Sequence, residues 1–345
     1  MSVQELVKNP THEIPEKYII DQELPMIPVV ENSEFSVPIV DMKKFLDEET
    51  RVYELENLHS ACKEWGIFQV VNHGLEHSWL MEKMNREIED FYALPLEEKL
   101  KFKNRDGEFE GFGQHLINDD DEKAMAMDWV DRFYMITNPI HKRKPHLFSN
   151  LPSSLRESLE GFIAELQEIV KALLGLMAET LKIDRKEIEE MFENGMQSMR
   201  MNYYPPCREP GKVIGLTPHS DGSVITILHQ VNGVGGLQIK KDGAWMPLNF
   251  LPQALVVNLG DVVEVLSNGL YKSIEHRATV NSEKERISIG MFFNPNFEAN
   301  VGPSPSLLIN QKPIFKTVSM EDYVNAFFSR RLQGKFLDSM RIEYN

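Results

Sequence analysis

Arg286-Ile287-Ser288-Ile289-Gly290-Met291-Phe292-Phe293 alternates from Arg286 to Met291 before closing on two phenylalanines. On an extended chain successive side chains point to opposite faces. Arg286, Ser288, Gly290 and Phe292 therefore share one face, and Ile287, Ile289, Met291 and Phe293 the other. Met199–Tyr204 divides the same way, with Arg200, Asn202 and Tyr204 on one side and Met199, Met201 and Tyr203 on the other. Such strands have an apolar side for a core and a polar side for something else. An arginine in a β-run is ordinarily an edge or surface residue, so the polar faces alone leave an exposed edge and a concave wall both open. Around these stretches, from about Ser198 to residue 297, short apolar runs are broken by tight turns. Asp242-Gly243 and Asn268-Gly269 are hairpin signals, and Gly260-Asp261 marks a further turn. Short strands so regularly interrupted predict a sandwich or barrel.

Outward from this all-β region the pattern is mixed. Residues 1–35 are Pro-rich and irregular, with an apolar patch at Met26–Val30. Val37-Pro38-Ile39-Val40 is strand-like. Val52, Leu55, Leu58, Cys62 and Trp65 then recur at helical spacing, and Gly66 stands where a helix end belongs. Ile67–Val71 reads as a buried strand, stopped by Asn72-His73-Gly74. A second helix is predicted from Ser78 to Tyr92, with Leu80, Met84, Ile88 and Phe91 inward. Residues 104–123 are loop-like and contain the acidic run Asp119–Glu122. Ser153 or Ser154 opens a long amphipathic helix through Leu159, Phe162, Leu166, Val170, Leu173 and Met177. A shorter one follows, with Asp184 and Glu187 spaced as a capping box. Residues 318–343 are helical again, with Tyr323, Ala326, Phe327 and Leu332. The fold class expected is mixed α+β. The expected division is 1–197, 198–297 for the β core, and 298–345 for a C-terminal extension with a lid helix.

The chain has 345 residues, 42% of them hydrophobic, enough for a sizeable core. Its formal charge of −16 argues against binding nucleic acid or an anionic membrane by bulk electrostatics, though not against a local cationic pocket. Cys62 and Cys207 are the only cysteines, which suits a reducing compartment. The N-terminus has no apolar signal segment, and no run of about 18 apolar residues occurs. A cytoplasmic monomer is expected, without nucleic-acid or membrane partners.

Thr217-Pro218-His219-Ser220-Asp221-Gly222 supplies an imidazole and a carboxylate two residues apart, on one face of an extended chain. A second histidine, His276, shares its face with Ile274, Ala278 and Val280, so it points inward. Two imidazoles and one carboxylate, with three coordination positions left open, is the donor set of non-haem Fe(II) oxygenases. Zinc would prefer a fourth protein ligand or a tetrahedral water, and no local cysteine serves. An isolated His-X-Asp occurs often by chance; His276 and Arg286-Ile287-Ser288 change its weight. A guanidinium beside a hydroxyl suits a carboxylate, two parallel bonds from the fork and one from the hydroxyl.

Asn202-Tyr203-Tyr204-Pro205-Pro206-Cys207, His219-Ser220-Asp221, His276 and Arg286-Ile287-Ser288 together resemble the catalytic half of the plant 2-oxoglutarate-dependent dioxygenases. Ala61–Gly74 resembles the non-catalytic half, and the resemblance runs from about residue 37 to 342. Gly111-Phe112-Gly113-Gln114 before Asp128-Trp129, with the ending Leu337–Ile342, looks nearest to the specialised-metabolism branch. That branch holds alkaloid O-demethylases, norcoclaurine-synthase-like proteins and the lateral-branching oxidoreductase. The resemblance implies a double-stranded β-helix, or jelly roll, with N-terminal helices packed outside. It implies Fe(II) on His219, Asp221 and His276. Oxoglutarate would meet Arg286 and Ser288, helped by Tyr204 and Asn202, with O2 as the other co-substrate and ascorbate as a supporting reductant. The implied reaction couples decarboxylation of oxoglutarate to succinate with oxidation of a small hydrophobic molecule.

For the substrate, Phe292 shares the face of Arg286 and Ser288. Phe133 and Tyr134, from the preceding loop, and Phe327 and Phe328, from the last helix, are candidate pocket aromatics, and Arg200 is a further candidate pocket residue; clustered aromatics belong as readily to a core. His73 and His229 read as structural, and the glycines of Asn232–Gly236 as turn residues, lacking the lysine and helix of a phosphate loop. Three rivals stay open: an ethylene-forming-type oxidase that does not use oxoglutarate, a small-ligand sensor on the same fold, and a cupin-like isomerase. In the last, Arg286 and Ser288 would have no task.

Overall fold

The alternating stretches are strands, and they lie side by side. The computed structural model of the chain describes residues 2–8, 13–22, 24, 36–75, 78–105, 107–113, 126–329 and 334–343. Met26–Val30, Gln114, Asp119–Glu122 and Leu332 lie outside the described residues. The strands that position the site are, in chain order, β1 (Ile39–Asp41), β2 (Ile67–Val71), β3 (Gly111–Phe112), β4 (Asp131–Asn138), β5 (Met196–Tyr204) and β6 (Leu216–His219). There follow β7 (Ile225–Gln230), β8 (Leu237–Lys241), β9 (Ala244–Pro247), β10 (Leu255–Leu259), β11 (His276–Ala278) and β12 (Arg286–Asn294). They form a large sheet in the order β1-β2-β10-β7-β12-β5-β4-β3 and a smaller one in the order β6-β11-β8-β9. Every pairing in them is antiparallel except β1 with β2. The two sheets make the jelly roll, and helices accompany it in a mixed α+β fold.

Register decides what each face sees. Arg286 pairs with Tyr204, Ser288 with Asn202, Gly290 with Arg200 and Phe292 with Ser198. The polar residues of the two strands thus form one continuous wall. Met199, Met201, Ile287, Ile289, Met291 and Phe293 turn the other way. They belong to one buried cluster with Leu159, Phe162, Leu166, Val170 and Leu173 of the helix Ser153–Leu181. Burying each such side chain contributes about 1.5–3 kcal/mol, so the alternation read in the sequence is what holds the helix to the sheet.

Several helix boundaries follow from local chemistry. Ser78 caps Trp79–Ala93, its hydroxyl accepting from the Met81 amide at 3.3 Å. Gly66 has φ 68°. A Cβ there would fall 2.1 Å from the Lys272 carbonyl oxygen, so glycine serves both the helix end and a close backbone approach.

Other expectations are corrected. Val52 is 59% exposed, while Glu54 is buried, its carboxylate accepting from the Asp41 amide at 2.8 Å; this polar contact overrides the apolar period. Asp184 caps Arg185–Phe192, but Glu187 does not reach back to close the box. It bonds the hydroxyls of Ser304 and Ser306 instead. The β core from 198 to 297 contains a helix, Asp261–Leu266, at the place read as a turn. Asn268-Gly269 has the two positive φ values of a hairpin turn yet ends this helix, whereas Asp242-Gly243 does join β8 to β9. Within 318–343 the helix covers Met320–Phe328, with a short 3-10 turn at Leu337–Met340. Gly111 and Phe112, read as loop, form the edge strand beside β4.

Candidate active site

The small sheet brings the two histidines together. β6 ends on His219, β11 begins on His276, and the two are direct cross-strand partners, their ring centroids 4.4 Å apart. Asp221 follows two residues after His219, its Oδ1 lying 3.5 Å from His219 Nε2 and 3.8 Å from His276 Nε2. All three are buried, and one ligand atom from each lies within 4.8 Å of the others. The remaining polar atoms are already engaged. His219 Nδ1 lies 2.7 Å from the Thr217 carbonyl oxygen and His276 Nδ1 3.3 Å from that of Ile274. A carbonyl only accepts, so each Nδ1 carries the proton and each Nε2 keeps its lone pair. Asp221 Oδ2 accepts from Thr226 Oγ1 at 2.7 Å and Asn258 Nδ2 at 2.5 Å. Thr226 on β7 and Asn258 on β10 are themselves cross-strand partners.

Electrostatics agree with this arrangement. Burial, with His219 alongside, pushes the His276 imidazole down to about 4, so it is neutral at pH 7, as a metal ligand must be. Burial would raise the Asp221 carboxyl, but the two histidines and the Thr226 hydrogen bond outweigh it and hold the group below the usual carboxylate range. Two neutral imidazoles and one carboxylate oxygen, converging from one side, fit an octahedral Fe(II) with open positions. Cys62 and Cys207 are not in the group, so no sulfur-rich zinc site forms among the described residues.

The ligand group opens into a cavity of about 630 Å³. Arg286, Ser288, Gly290 and Phe292 of β12 and Ser198, Arg200, Asn202 and Tyr204 of β5 line it. Arg286 is buried, its Nη1 donates to Ser288 Oγ at 3.2 Å, and its guanidinium carbon lies 5.1 Å from the Tyr204 ring centre. Its Nε has no partner among the described residues. Such a guanidinium in a buried wall is a half-made carboxylate site. Next to Asp221, Phe327 of the helix Met320–Phe328 lies over Gly222, where a Cβ would come 2.8 Å from its ring. Phe328 stacks near Phe109, ring centroids 4.6 Å apart.

The profile of the 2OG-Fe(II) oxygenase superfamily matches residues 195–295, and that of the non-haem dioxygenase in morphine synthesis N-terminal region matches residues 37–154. Protein SRG1 of Arabidopsis thaliana is 48% identical over 347 residues, covering 99% of this chain and 96% of that protein. The chain belongs to the plant 2-oxoglutarate- and Fe(II)-dependent dioxygenases. Thebaine 6-O-demethylase of Papaver somniferum is 46% identical, over 99% of this chain and 96% of its own. Among solved structures, JOX2 in complex with 2OG, Fe and JA superposes with a TM-score of 0.86 at 31% identity, over 99% of this chain and 98% of that one. Family membership makes the chain an enzyme, an oxidoreductase whose cofactor is Fe(II) and whose co-substrate is 2-oxoglutarate.

The dioxygenase cavity takes in most of the residues singled out from the sequence, but not all. Tyr134, Arg200, Phe292, Phe327 and Phe328 line it. Phe133 does not. It is fully buried in the core, 5.3 Å from Phe91 and 5.6 Å from Phe102 between ring centroids. The segment read as loop is strand β4, and neighbouring residues on a strand cannot face the same way. Sequence reasoning missed Arg132, which lines the cavity beside Tyr134, and Glu16, Lys17 and Ile19 from the N-terminal segment. It also missed Thr226 and Asn258. The alternation of Asp131–Thr137 was the available signal for Arg132; nothing local marks Asn258, a lone polar residue in Leu255-Val256-Val257-Asn258-Leu259. His229 bonds Asn85 Oδ1 at 2.7 Å and His73 the Gln253 carbonyl at 3.0 Å, and neither lines the cavity.

Proposed function

We propose that this dioxygenase holds iron on His219, Asp221 and His276, and oxoglutarate on Arg286 and Ser288 with Tyr204 and Asn202. Its substrate is a small, largely apolar metabolite that it hydroxylates or O-demethylates. The observation that carries this is the convergence of three ligand atoms at one end of a cavity whose adjoining wall holds a buried, incompletely paired arginine beside a serine. When bound, iron and oxoglutarate would activate O2, the oxidant, with succinate and CO2 formed from oxoglutarate as by-products. The chain's own part is geometry. Thr217 and Ile274 hold the imidazoles in one tautomer, while Thr226 and Asn258 aim one oxygen of Asp221. Arg286 and Ser288 fix the far carboxylate of oxoglutarate, and Phe292, Phe327 and Phe328 keep water from the reacting end. The name of the relative thebaine 6-O-demethylase supports O-demethylation as one outcome.

We further propose a cytoplasmic monomer with three working units, 1–197, 198–297 and 298–345. The net charge of −16 supports the absence of nucleic-acid or anionic-membrane partners, and no described helix is long and apolar enough to cross a membrane.

The decisive experiment incubates the iron-loaded protein with oxoglutarate and measures succinate, with and without candidate metabolites. Oxoglutarate-dependent succinate, stimulated by at least one metabolite, is expected. Oxidation of a metabolite without oxoglutarate would overturn the reading in favour of an oxidase, and complete lack of turnover in favour of a sensor.

A further inference from the structure

The oxoglutarate site accounts for Arg286; of the other guanidiniums lining the same cavity, Arg277 donates to Gln238 Oε1 at 2.8 Å and lies over the Trp245 ring, and two are left without a task. Arg132 on β4 and Arg200 on β5 both line it. Arg132 pairs with Asn202 and Arg200 with Tyr134, so the two arginines are diagonal neighbours across adjacent strands, a spacing of roughly 7–8 Å. Arg286 stands two strands away from Arg132, about 10 Å across the sheet. The three therefore form a pair and a separate single cation.

Neither member of the pair is neutralised. Arg200 is 9% exposed, and its Nε donates to Asn202 Oδ1 at 2.7 Å. Arg132 Nε donates to the Gly113 carbonyl at 3.0 Å, while its Nη2 is buried without a partner. Among the described residues no carboxylate forms an ion pair with either. Asp128 is the acidic neighbour, and its Oδ1 accepts from both the amide and the hydroxyl of Thr217. Burial and the adjacent Arg200 charge push the Arg132 guanidinium down to about 9, with Asp128 opposing them only in part. Two like charges held together in a buried wall cost stability unless something of opposite sign completes them.

Oxoglutarate does not complete them. Its two carboxylates and that of Asp221 balance the iron and Arg286, and Glu16 and Asp128 offset Lys17 and Arg277 among the other lining charges, which leaves Arg132 and Arg200 in excess. We propose that the substrate bears a carboxylate on an apolar body, and that Arg132 and Arg200 bind that carboxylate together. This rests on the iron and oxoglutarate assignment above. The pair grips one end of the substrate, while Phe292, Phe327 and Phe328 receive the apolar remainder and direct it toward the metal end of the cavity. A neutral hydroxyl or ketone would take a hydrogen bond and leave both charges stranded. The local pair also answers the net charge of −16, whose long-range field opposes any anion's entry.

The test uses the full chain loaded with Fe(II) and saturating oxoglutarate without oxygen, and calorimetry of matched probes. These are cinnamate, 4-phenylbutyrate and 1-naphthylacetate, each against its primary amide. At least one acid should bind about tenfold or more tightly than its amide, as expected for charge-assisted bonds. Arg132→Gln and Arg200→Gln should each bring that ratio toward unity, and Arg132→Lys should keep part of it. Because Arg200 also holds Asn202, the two Arg132 variants decide the matter if Arg200→Gln does not fold. Acids that bind no better than amides in the parent overturn the proposal, and so does a preference that survives Arg132→Gln. Oxoglutarate binding to the iron-loaded parent is read in the same series. Its absence would sink the underlying assignment, whereas its presence without acid preference sinks only this inference.

Discussion

The two ends of the cavity are built on opposite terms. At the metal end the spare atoms of the three proposed ligands are committed: both Nδ1 positions face carbonyls, and Asp221 Oδ2 takes two donors. What remains free is aimed at one point. At the arginine end the commitments are missing: Arg286 Nε and Arg132 Nη2 are buried without partners among the described residues. The first end is shaped by the protein alone, whereas the second is finished only by what binds there. Substitutions should separate the two. Changes to the three proposed ligands should abolish binding outright, and changes at the arginine end should weaken it in proportion to the bonds removed.

The largest effect is expected from the proposed ligands. His219→Ala, Asp221→Ala or His276→Ala should abolish iron binding and succinate formation in a folded protein, and Asp221→Asn should fail too, since it loses the charge. Metal analysis of purified variants checks this, and near-normal iron content in any of them breaks the assignment. Next comes Arg286→Ala. Stranding a buried carboxylate typically costs about 2–5 kcal/mol, or roughly 30- to several-thousand-fold in the apparent oxoglutarate KM. Arg286→Lys should recover part of this, and Ser288→Ala should lose only about 1 kcal/mol. An intact iron content across the series would sharpen the contrast between the two ends; an unchanged oxoglutarate KM in Arg286→Ala would erase it.

Asn258→Ala should fall lower, about 10- to 100-fold in iron affinity, the usual cost of removing a group that orients a ligand. Competition with a chelator would measure it, and parent-like affinity would show that Asp221 needs no such support. The last effect is on stability rather than on binding and concerns His229, buried like His276 but not among the residues lining the cavity. Burial, with His73 nearby, pushes its pKa from 6.5 down to about 4. The unfolded chain therefore takes up a proton between those values that the folded chain refuses. The stabilisation is complete above pH 6.5 and is lost as pH falls toward 4. His229→Gln should reduce the slope of stability against pH in that window by up to about 1.4 kcal/mol per pH unit. Urea melts at pH 7, 6 and 5 report it, and an unaltered slope would place the titration elsewhere.

The comparison also marks what the sequence could disclose. The wall of β5 and β12 was legible because a strand's period of two ties each side chain's face to its position. The metal group was legible because its residue types have few other uses in that combination. Phe133 was misplaced and Arg132 overlooked for one reason, a strand taken for a loop. Asn258 and Thr226 lie beyond local reading, because they meet Asp221 only when β10 aligns with β7. The Asp261–Leu266 helix replaced a turn because its six buried residues, four of them apolar with Asp261 and Glu264 among them, suit either state until packing decides.

The pairing of Thr226 and Asn258 with one oxygen of Asp221 bears on which ion the protein acquires. The proposed centre can offer two imidazoles and a single carboxylate oxygen. That is too few oxygens for calcium, which takes six to eight. Against the later first-row ions it has no such protection, since sites of this kind bind copper and zinc more tightly than iron. Selection of iron must then come from supply, from whichever ion the surroundings leave loosely held when the chain folds. Protein prepared in a zinc-rich medium would be correctly folded, fully metallated and inert.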